Sequence, residues 1–498
     1  MNMQDDGAIA VPFSVTLTTV SGVLIGFEVN IVAAEPGSRS RFFTVAGPDP
    51  TTNARRIRRY RLSDTGHHAY LEFFKELARD FGTRVPQNQQ PTEAPASAAP
   101  FRSLLTQTLS PDIFYGYGDP AVTRVVEGSA EARTASYYLV VTSNDAPQVF
   151  PILRSQDLTN WHLLGFVFPE GCAPRWAAQI GRGGEYWAPE MHQVGGEFLV
   201  CFAAREADHS FSIGLARSSR PDGPFLAAEK PVLRGNVIDP HILVDHDGSA
   251  YLFWKEDTND LWPGQLCQLL HEHCQLAAEL FPSDEDQRTA AFAQTLWPWV
   301  RSLEPMERFF ILQGLVEAVI SNFPALRERL TGLLEQQTDP AAKDKIAEVL
   351  RLTRTPVYVQ RLDPVEFVLL GERRQVLQND REWEGHLVEG VWVTAHQGKY
   401  YMFYAGNDFS TARYGIGAAV ADSPLGPYRK TEEPFLRSTV DWSGPGHPSV
   451  ADGPDGEPWL FLHAFFPGRS GYKEFRAFLA LPIAFKADCI ALRPEAGT

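Results

Sequence analysis

The sequence predicts a mainly β protein built from repeated antiparallel units. Short aromatic-rich segments recur along its 498 residues. Turn residues such as Gly195-Gly196 and Asp247-Gly248 fall between neighbouring segments, as expected for strands joined by hairpins. Without one long helical insertion, the repeat is about 50–60 residues long, which suits a four-stranded propeller blade. The pattern therefore predicts a five-bladed β-propeller. A β-sandwich, the ordinary alternative, does not usually repeat one pattern this regularly.

Five repeat units can be recognised by their opening motifs. The units begin at Asp119, near Trp187-Ala188-Pro189-Glu190, at Asp239, at Glu389 and at Gly446-His447-Pro448. Each motif precedes an apolar run that leads through a turn to a second strand, such as Tyr251-Leu252-Phe253-Trp254. The five openings are therefore expected to lie at one end of the blades.

Three of the units open on a carboxylate, namely Asp119, Asp239 and Glu389. A carboxylate at the mouth of a buried strand is costly unless it is hydrogen-bonded or has a chemical role. Three carboxylates at equivalent places in successive repeats predict one shared pocket. Such a pocket suits hydrolysis of a glycosidic bond, because that reaction needs a protonated acid and an ionised base on opposite sides of the sugar.

The stretch from about Asp112 to Pro494 resembles glycoside hydrolase family 43, whose five-bladed propellers cleave arabinofuranosides and xylosides. Val391 departs from the family pattern, in which Pro or another small residue usually occupies this place, and it is expected to alter only the pocket wall. The motifs that carry the resemblance are Gly118–Pro120, Ser155–Leu158 with Asn160-Trp161, Tyr186–Glu190, Ile238–Pro240, Trp254–Asp257, Trp383–Gly385, Val388–Gly390, Gly444–His447 and Leu462–Ala464.

The resemblance implies a role for each carboxylate. Asp119 would be the general base, Glu389 the general acid, and Asp239 the group that tunes and orients the acid. The expected activity is inverting hydrolysis of a small furanoside or xyloside, of the α-L-arabinofuranosidase or β-xylosidase type. Two alternatives stay open: a non-catalytic propeller that binds sugar or protein, and a glycosidase for another furanoside, such as a galactofuranoside or a fructoside. The three carboxylates favour an enzyme, since a binding module has no need of them.

Two further residues are predicted to contact substrate. Trp187 opens the second unit and could stack on a sugar ring, with core packing as the equal alternative. His447 is expected to point into the central channel, where the matching histidine of the family often borders a calcium ion or an ordered water. A structural calcium near His447 is one expectation, with a satisfied structural histidine as the alternative, and the reaction itself requires no cofactor. Cys267, His271 and Cys274 share a helix face that could hold zinc, but a packed helix is the favoured interpretation.

The propeller, predicted at residues 105–498, carries two additions. Residues 1–83 are predicted to form a small α+β accessory domain, for binding or for oligomerisation, and residues 84–104 a Pro/Ala/Gln-rich linker. Residues 260–354 have helical patterns and interrupt the third blade between its second and third strands. Because the second strand returns to the face that carries the acids, the insertion is predicted to lie on the active-site rim.

Composition narrows the partners and the compartment. The net charge is −16 and no Lys/Arg cluster dominates, which argues against nucleic acid or membrane as the main partner and is compatible with a small carbohydrate. Arg55–Arg59, the only dense basic run, is interpreted as a solvated strand or interface edge. The acidic N-terminus and the interrupted Val15–Val29 run predict neither a signal peptide nor a membrane span. Five scattered cysteines predict reduced thiols and a cytoplasmic protein. A homo-oligomer formed through the N-terminal domain or the insertion is a further expectation.

Overall fold

The structure, a computed structural model, describes residues 13–18, 24–35, 40–63, 67–84, 101–129, 132–181, 184–259 and 261–493. The chain divides into two compact units. The first unit contains the described residues up to Arg84 together with Thr258–Arg354, and the second contains those from Phe101 to Asp257 and from Thr355 to Arg493. Most of the linker predicted at residues 84–104 lies outside the described residues.

The first unit combines an antiparallel sheet with helices. Its sheet has the order β1-β2-β3-β4 and is followed by helix α1. These elements are β1 Phe13–Thr18, β2 Leu24–Ala33, β3 Arg41–Pro48, β4 Arg55–Leu62 and α1 His67–Phe81. The remaining helices are α2 Trp262–Glu272, α3 Leu276–Leu280, α4 Asp284–Val300, α5 Pro305–Ile311, α6 Gln313–Ile320, α7 Phe323–Gln336 and α8 Pro340–Leu352.

The N-terminal sheet and the inserted helices share one hydrophobic core. The Phe27 ring lies 5.5 Å from that of Phe292 in α4, and the Phe43 ring lies 5.3 Å from that of Trp299, measured between ring centroids. Alternate residues of β2 are buried, so the sheet has one apolar face that must pack against another element. The structure thus differs from the two independent additions predicted from the sequence, because α4 supplies the missing cover.

The second unit consists of five antiparallel sheets that follow one another along the chain. The sheet orders are β6-β7-β8-β9, β10-β11-β12-β13, β14-β15-β16-β17, β18-β19-β20-β21 and β22-β23-β24-β25, with β5 also paired to β24. The strands are β5 Arg102–Leu105, β6 Ala121–Ser129, β7 Ala132–Val140, β8 Val149–Ser155, β9 His162–Phe168, β10 Tyr186–Val194, β11 Glu197–Arg205, β12 Phe211–Ser218, β13 Leu226–Ala227, β14 Val237–Val244, β15 Ala250–Glu256, β16 Val357–Asp363, β17 Val368–Leu377, β18 Val388–His396, β19 Lys399–Gly406, β20 Gly415–Ala421, β21 Arg429–Lys430, β22 Ser443–Asp452, β23 Pro458–Phe465, β24 Arg476–Lys486 and β25 Cys489–Leu492. The prediction of a mainly β protein is confirmed.

The first strands of the five sheets contact one another in sequence. β6 contacts β10, β10 contacts β14, β14 contacts β18, β18 contacts β22, and β22 contacts β6. The pairing of β5 with β24 joins the start of this unit to its last sheet. The openings of the five sheets therefore converge on one region.

A two-residue bulge interrupts the pairing of the first strand in the second to fifth sheets. In the first sheet, Asp119 and Pro120 take the equivalent place directly before β6, where Gly118 accepts the Thr142 N–H. The first residue at this place has a positive φ of 45–59° in all five sheets, and these residues are Asp119, Ala188, Asp239, Gly390 and His447. The preceding residue still pairs with the second strand, as Trp187 does with Ala203, Ile238 with Lys255 and Glu389 with Ala405. The prediction that the three acids occupy equivalent places is therefore wrong by one residue, because Glu389 stands before its bulge, whereas Asp239 stands within its bulge and Asp119 at the equivalent place.

Candidate active site

The bulges decide which side chains meet. Residues of the second strands lie opposite the residues that precede the bulges, so they reach the same region. Thr142 donates its backbone N–H to Gly118, and Lys255 and His463 pair with Ile238 and Gly446. The repeat thereby gathers a hydroxyl, an ammonium group and an imidazole beside the three carboxylates.

Asp119 is partly buried and is surrounded by donors. Arg476 Nη1 lies 2.8 Å from its Oδ1, and Thr142 Oγ1 donates to its Oδ2 at 2.5 Å. His463 Nδ1 accepts the Asp119 backbone N–H at 3.0 Å. Burial opposes ionisation, but Arg476, His447 and His463 outweigh it and hold the pKa of Asp119 well below its usual range. Asp119 is therefore an ionised carboxylate at neutral pH.

Asp239 and Glu389 have the opposite character. Burial raises the pKa of Asp239 to about 7, against the pull of Lys255 and with a contribution from Asp119. Burial also raises the pKa of Glu389 to about 7, again against Lys255, and the charge of Asp239 adds to the rise. The Gly390 backbone N–H donates to Asp239 Oδ2 at 2.8 Å and ties the two residues together. This pair therefore retains a proton near neutral pH, in contrast to Asp119.

Both oxygens of Glu389 accept hydrogen bonds. Tyr414 donates its hydroxyl to Oε1 at 2.9 Å, and Lys255 Nζ lies 3.3 Å from Oε2. The pKa of Tyr414 is raised by burial and then by the charges of Glu389, Asp119 and Asp239. One hydroxyl thus responds to all three carboxylates, which places them in a single electrostatic site.

Two glycines leave room for the groups that reach the carboxylates. A Cβ on Gly118 would lie 1.8 Å from Arg476 Cζ, and a Cβ on Gly446 would lie 1.8 Å from a ring carbon of Tyr414. Both glycines stand directly before the bulge or its equivalent, at the position that Glu389 fills in the fourth sheet. Their missing side chains therefore admit the guanidinium and the phenol.

Trp187 is partly buried at the same position of the second sheet. It packs on Phe211, with ring centroids 4.1 Å apart, and belongs to a small apolar cluster that includes Ile238. Its indole Nε1 donates to Glu185 Oε2 at 3.2 Å, while Tyr472 donates to Glu185 Oε1 at 2.5 Å. Two hydrogen bonds to one carboxylate hold the indole plane in place beside Ile238, the residue before Asp239.

The segment Tyr472–Arg476 connects the first two sheets to the last. Besides the bond from Tyr472 to Glu185, Lys473 Nζ lies 2.5 Å from Asp145 Oδ2, and Arg476 contacts Asp119. One short segment that ends at the first residue of β24 therefore fixes groups around both Asp119 and Trp187.

His447 is buried, and its Nδ1 lies 3.5 Å from Asp119 Oδ1. Calcium takes six to eight oxygen ligands. The donors beside His447 are an imidazole and a carboxylate oxygen that already binds Arg476, and these do not supply such a set. The described residues beside His447 therefore do not fit the predicted calcium, and the reaction is not assigned to it.

A further cluster of hydrogen-bonding groups lies around Glu190, which is close enough to Asp239 and His447 to interact with their charges. Glu190 Oε2 lies 2.8 Å from both His192 Nε2 and His241 Nδ1. Burial raises the pKa of Glu190 and lowers that of His241 to about 3. Glu190, His192 and Cys201 form the single group within the described ranges whose spacing could hold a metal ion.

The zinc alternative at Cys267, His271 and Cys274 does not assemble. His271 Nδ1 contacts the Gln294 carbonyl oxygen at 2.9 Å, and α2 ends at Glu272, before Cys274. All five cysteines are free thiols, and each lies in a described segment. Within the part of the chain that the structure describes, every helix is too short or too polar to cross a membrane.

Sequence reasoning brought the three carboxylates, Trp187 and His447 to one site but missed most of their partners. The positions opposite the residues before the bulges would have pointed to Thr142, Lys255 and His463. Arg476 and Tyr414 come from segments outside the repeated motif. The one signal in the sequence that points to Arg476 and Tyr414 is the presence of glycine, which has no side chain, at positions 118 and 446.

The model of glycosyl hydrolases family 43 matches residues 111–285 and 349–490, which is more than half of the chain. The chain therefore belongs to glycosyl hydrolases family 43, and the predicted resemblance is confirmed.

Known relatives agree with this membership. The chain is 26% identical over 279 residues to xylosidase/arabinosidase 43A of Humicola insolens, covering 56% of this chain and 66% of that protein, just under two thirds of its length. It is 23% identical over 306 residues to a xylosidase/arabinosidase of Bacteroides ovatus, covering 61% and 72%. The crystal structure of a thermostable family-43 glycoside hydrolase superposes with a TM-score of 0.50 at 24% identity, covering 76% of this chain and 93% of that one, and it establishes likeness of fold alone.

Proposed function

We propose that this protein is an inverting glycosidase that hydrolyses a small furanoside or xyloside, of the arabinofuranosidase or xylosidase type. The observation that carries the proposal is the split between the carboxyl groups of one buried site. Asp119 is held ionised by Arg476, whereas the pKa values of Asp239 and Glu389 are raised to about 7. Inverting hydrolysis needs this division between a base and an acid.

Asp119 acts as the general base in this proposal. Arg476 and Thr142 each bind one of its oxygens and fix the plane of the carboxylate. A remaining lone pair accepts a proton from a water molecule, and the oxygen of that water attacks the anomeric carbon. Because Asp119 is ionised across the neutral range, it is ready to accept this proton without a prior deprotonation.

Glu389 acts as the general acid. Its O–H bond breaks as the proton moves to the glycosidic oxygen, and that oxygen leaves with the electron pair of its bond to the anomeric carbon. Asp239 keeps the pKa of Glu389 high and, through the Gly390 N–H, keeps the two groups in register. The two reacting carboxyl groups of an inverting enzyme stand about 6.5–9.5 Å apart, which leaves room for the water.

We interpret the five sheets as the blades of a five-bladed propeller, with the acids at one end of its channel. Trp187 and His447 then border the sugar, and Trp187 offers an aromatic surface to its ring. The names of the relatives favour arabinosides and xylosides as substrates. Four statements remain predictions from the sequence. They are a rim position for residues 260–354, calcium at His447, self-association through the first unit and a cytoplasmic location.

The test is turnover of nitrophenyl and alkyl arabinofuranosides and xylopyranosides. Glu389→Gln keeps the shape but removes the transferable proton, so kcat/KM is expected to fall on the order of 10²–10⁴-fold for poor leaving groups and far less for nitrophenol. Asp119→Asn is expected to abolish turnover of every substrate, because each one needs an activated water.

Two outcomes would contradict the proposal. Near wild-type hydrolysis of an alkyl glycoside by the Glu389→Gln variant would remove Glu389 as the acid. Sugar binding without turnover by the wild type, over the whole substrate panel, would favour a binding propeller instead. Glu197→Gln, an exposed change in β11, is the matched control and should leave both kcat and KM unchanged.

A further inference from the structure

Lys255 is a fully buried lysine whose ammonium group faces carboxylates. Its Nζ lies 3.3 Å from Glu389 Oε2 and 3.9 Å from Asp257 Oδ1. Burial disfavours its charge, but Glu389, Asp257 and Asp239 outweigh burial and raise its pKa. A buried charge is costly unless its partners compensate for it. Lys255 is therefore a permanent cation between two carboxylates, one of which is the proposed acid.

The bonding around Glu389 fits its ionised form. Tyr414 donates to Oε1 and Lys255 donates to Oε2, so both oxygens act as acceptors. A protonated Glu389 presents an O–H on one oxygen, and an ammonium group beside Oε2 opposes that proton. Asp257 offers Lys255 a second carboxylate on its other side. Lys255 thus has two carboxylate partners. Glu389 changes its charge during the reaction, whereas Asp257 takes no part in the proton transfer.

We propose that Lys255 is a positioning residue that drives the proton from Glu389 to the leaving group. The inference rests on the proposed role of Glu389 as the acid. As the Glu389 O–H bond breaks and the glycosidic oxygen takes the proton, the ammonium group approaches the carboxylate that forms at Oε2 and moves away from Asp257. The interaction is stronger after the transfer than before it, so it lowers the barrier of that step.

Other charged or titratable groups face the same region. Asp239 from β14 and Tyr414, which precedes β20, act on Glu389, and His386 feels the charge of Lys255. Burial lowers the pKa of His386 to about 4, so it is neutral in the working range. Tyr414 stays neutral as well, because its pKa is raised. Lys255 is thus the one cation that these contacts bring to Glu389 within the described residues.

The experiment compares pH profiles of kcat/KM for Lys255→Met and the wild type. Loss of a cation beside a carboxyl raises its pKa by about 1–3 units, so the alkaline limb should move up by that amount. The plateau on an alkyl glycoside should fall, because the weaker acid donates its proton less readily, while the plateau on a nitrophenyl glycoside should change little. A lower plateau with an unmoved alkaline limb on both substrates would overturn the inference.

Lys430→Met is the matched control. The Lys430 side chain is 5% exposed, and its Nζ lies 2.7 Å from Glu384 Oε1. Its removal is expected to lower the melting temperature but to leave the alkaline limb in place. A shift equal to that of Lys255→Met would show a general effect of losing a buried cation and would contradict the proposal.

Asp257→Asn keeps the inference testable if Lys255→Met does not fold. Without Asp257, the charge of Lys255 acts on Glu389 and Asp239 only, so the alkaline limb should move to lower pH, and an unchanged or raised limb would count against the inference. Glu389→Gln is measured in parallel. If it hydrolyses alkyl glycosides normally, the proposed function itself fails. If it loses that activity while Lys255→Met leaves the limb unmoved, the role of Lys255 alone is rejected.

Discussion

Replacing Arg476 with Met should move the acidic limb of the pH profile. In the wild type the guanidinium lies 2.8 Å from Asp119 Oδ1 and is the strongest of the groups that keep this carboxyl ionised. An adjacent opposite charge is worth about 1–3 pKa units, or about 1.4–4 kcal/mol of preference for the carboxylate. Without Arg476, burial is opposed only by His447, His463 and the Thr142 hydrogen bond.

The direction in which the acidic limb moves follows from the role of Asp119 as a base. A base is active when ionised, so activity is lost as pH falls through its pKa. A raised pKa therefore moves the acidic limb of kcat/KM upward by about 1–3 units, toward the range where Asp119 stays ionised in the wild type. The measurement is kcat/KM for a nitrophenyl glycoside from pH 3 to pH 8, since this substrate minimises the contribution of the acid.

Two companion variants separate charge from shape. Arg476→Lys keeps a cation and should return the limb most of the way to its wild-type position, even if the plateau is lower. Gly118→Ala leaves Arg476 in the sequence but places a Cβ 1.8 Å from its Cζ, so it should displace the guanidinium and reproduce the shift. A loss by the same factor at every pH in Arg476→Met would refute the electrostatic reasoning and leave only a structural role.

Three further predictions concern stereochemistry, the sugar surface and the first unit. Proton NMR of the first product should show the anomer opposite to that of the substrate, and retention would require a nucleophilic carboxylate about 5–5.5 Å from the acid instead. Glu185→Gln and Tyr472→Phe should raise KM more than they lower kcat, because both release the Trp187 indole, whereas an unchanged KM would argue for core packing of Trp187. Replacing 264–354 with a short turn should cause aggregation by uncovering the apolar face of the N-terminal sheet. Removing residues 1–100 as well should restore a folded five-sheet unit with altered preference for substrate length, and equal preference would make the first unit purely structural.

The repeats were readable from the sequence because each unit repeats its turn, its aromatic strand and its opening motif. The one-residue offset of Glu389 could not be read from the sequence, because a bulge is set by backbone pairing rather than by residue type. A hint existed: Pro follows Asp119, Ala188, Asp239 and His447, while Val391 follows Gly390. Aligning the prolines rather than the acids would have placed Gly390, not Glu389, beside the two aspartates.

The shared core of the first unit could not be read from the sequence. The buried alternation of β2 and the helical pattern of α4 are each visible, but neither indicates which apolar face covers which. The partners are also far apart in the chain, as Phe27 and Phe292 illustrate. Patterns of burial predict that an apolar face must pack against another element. Only the tertiary structure identifies that element.

One repeated motif yields carboxyl groups of opposite character because single residues differ at equivalent positions. Before Asp119 stands Gly118, whose missing side chain admits a guanidinium, and the carboxylate is ionised. Before Asp239 stands Ile238, which packs with Ala203 and Phe211 and leaves that side apolar, so burial dominates and the pKa rises to about 7. Gly118 in the first sheet and Ile238 in the third, at the same place relative to the carboxyl, therefore decide which carboxyl can serve as a base and which belongs to the acid pair.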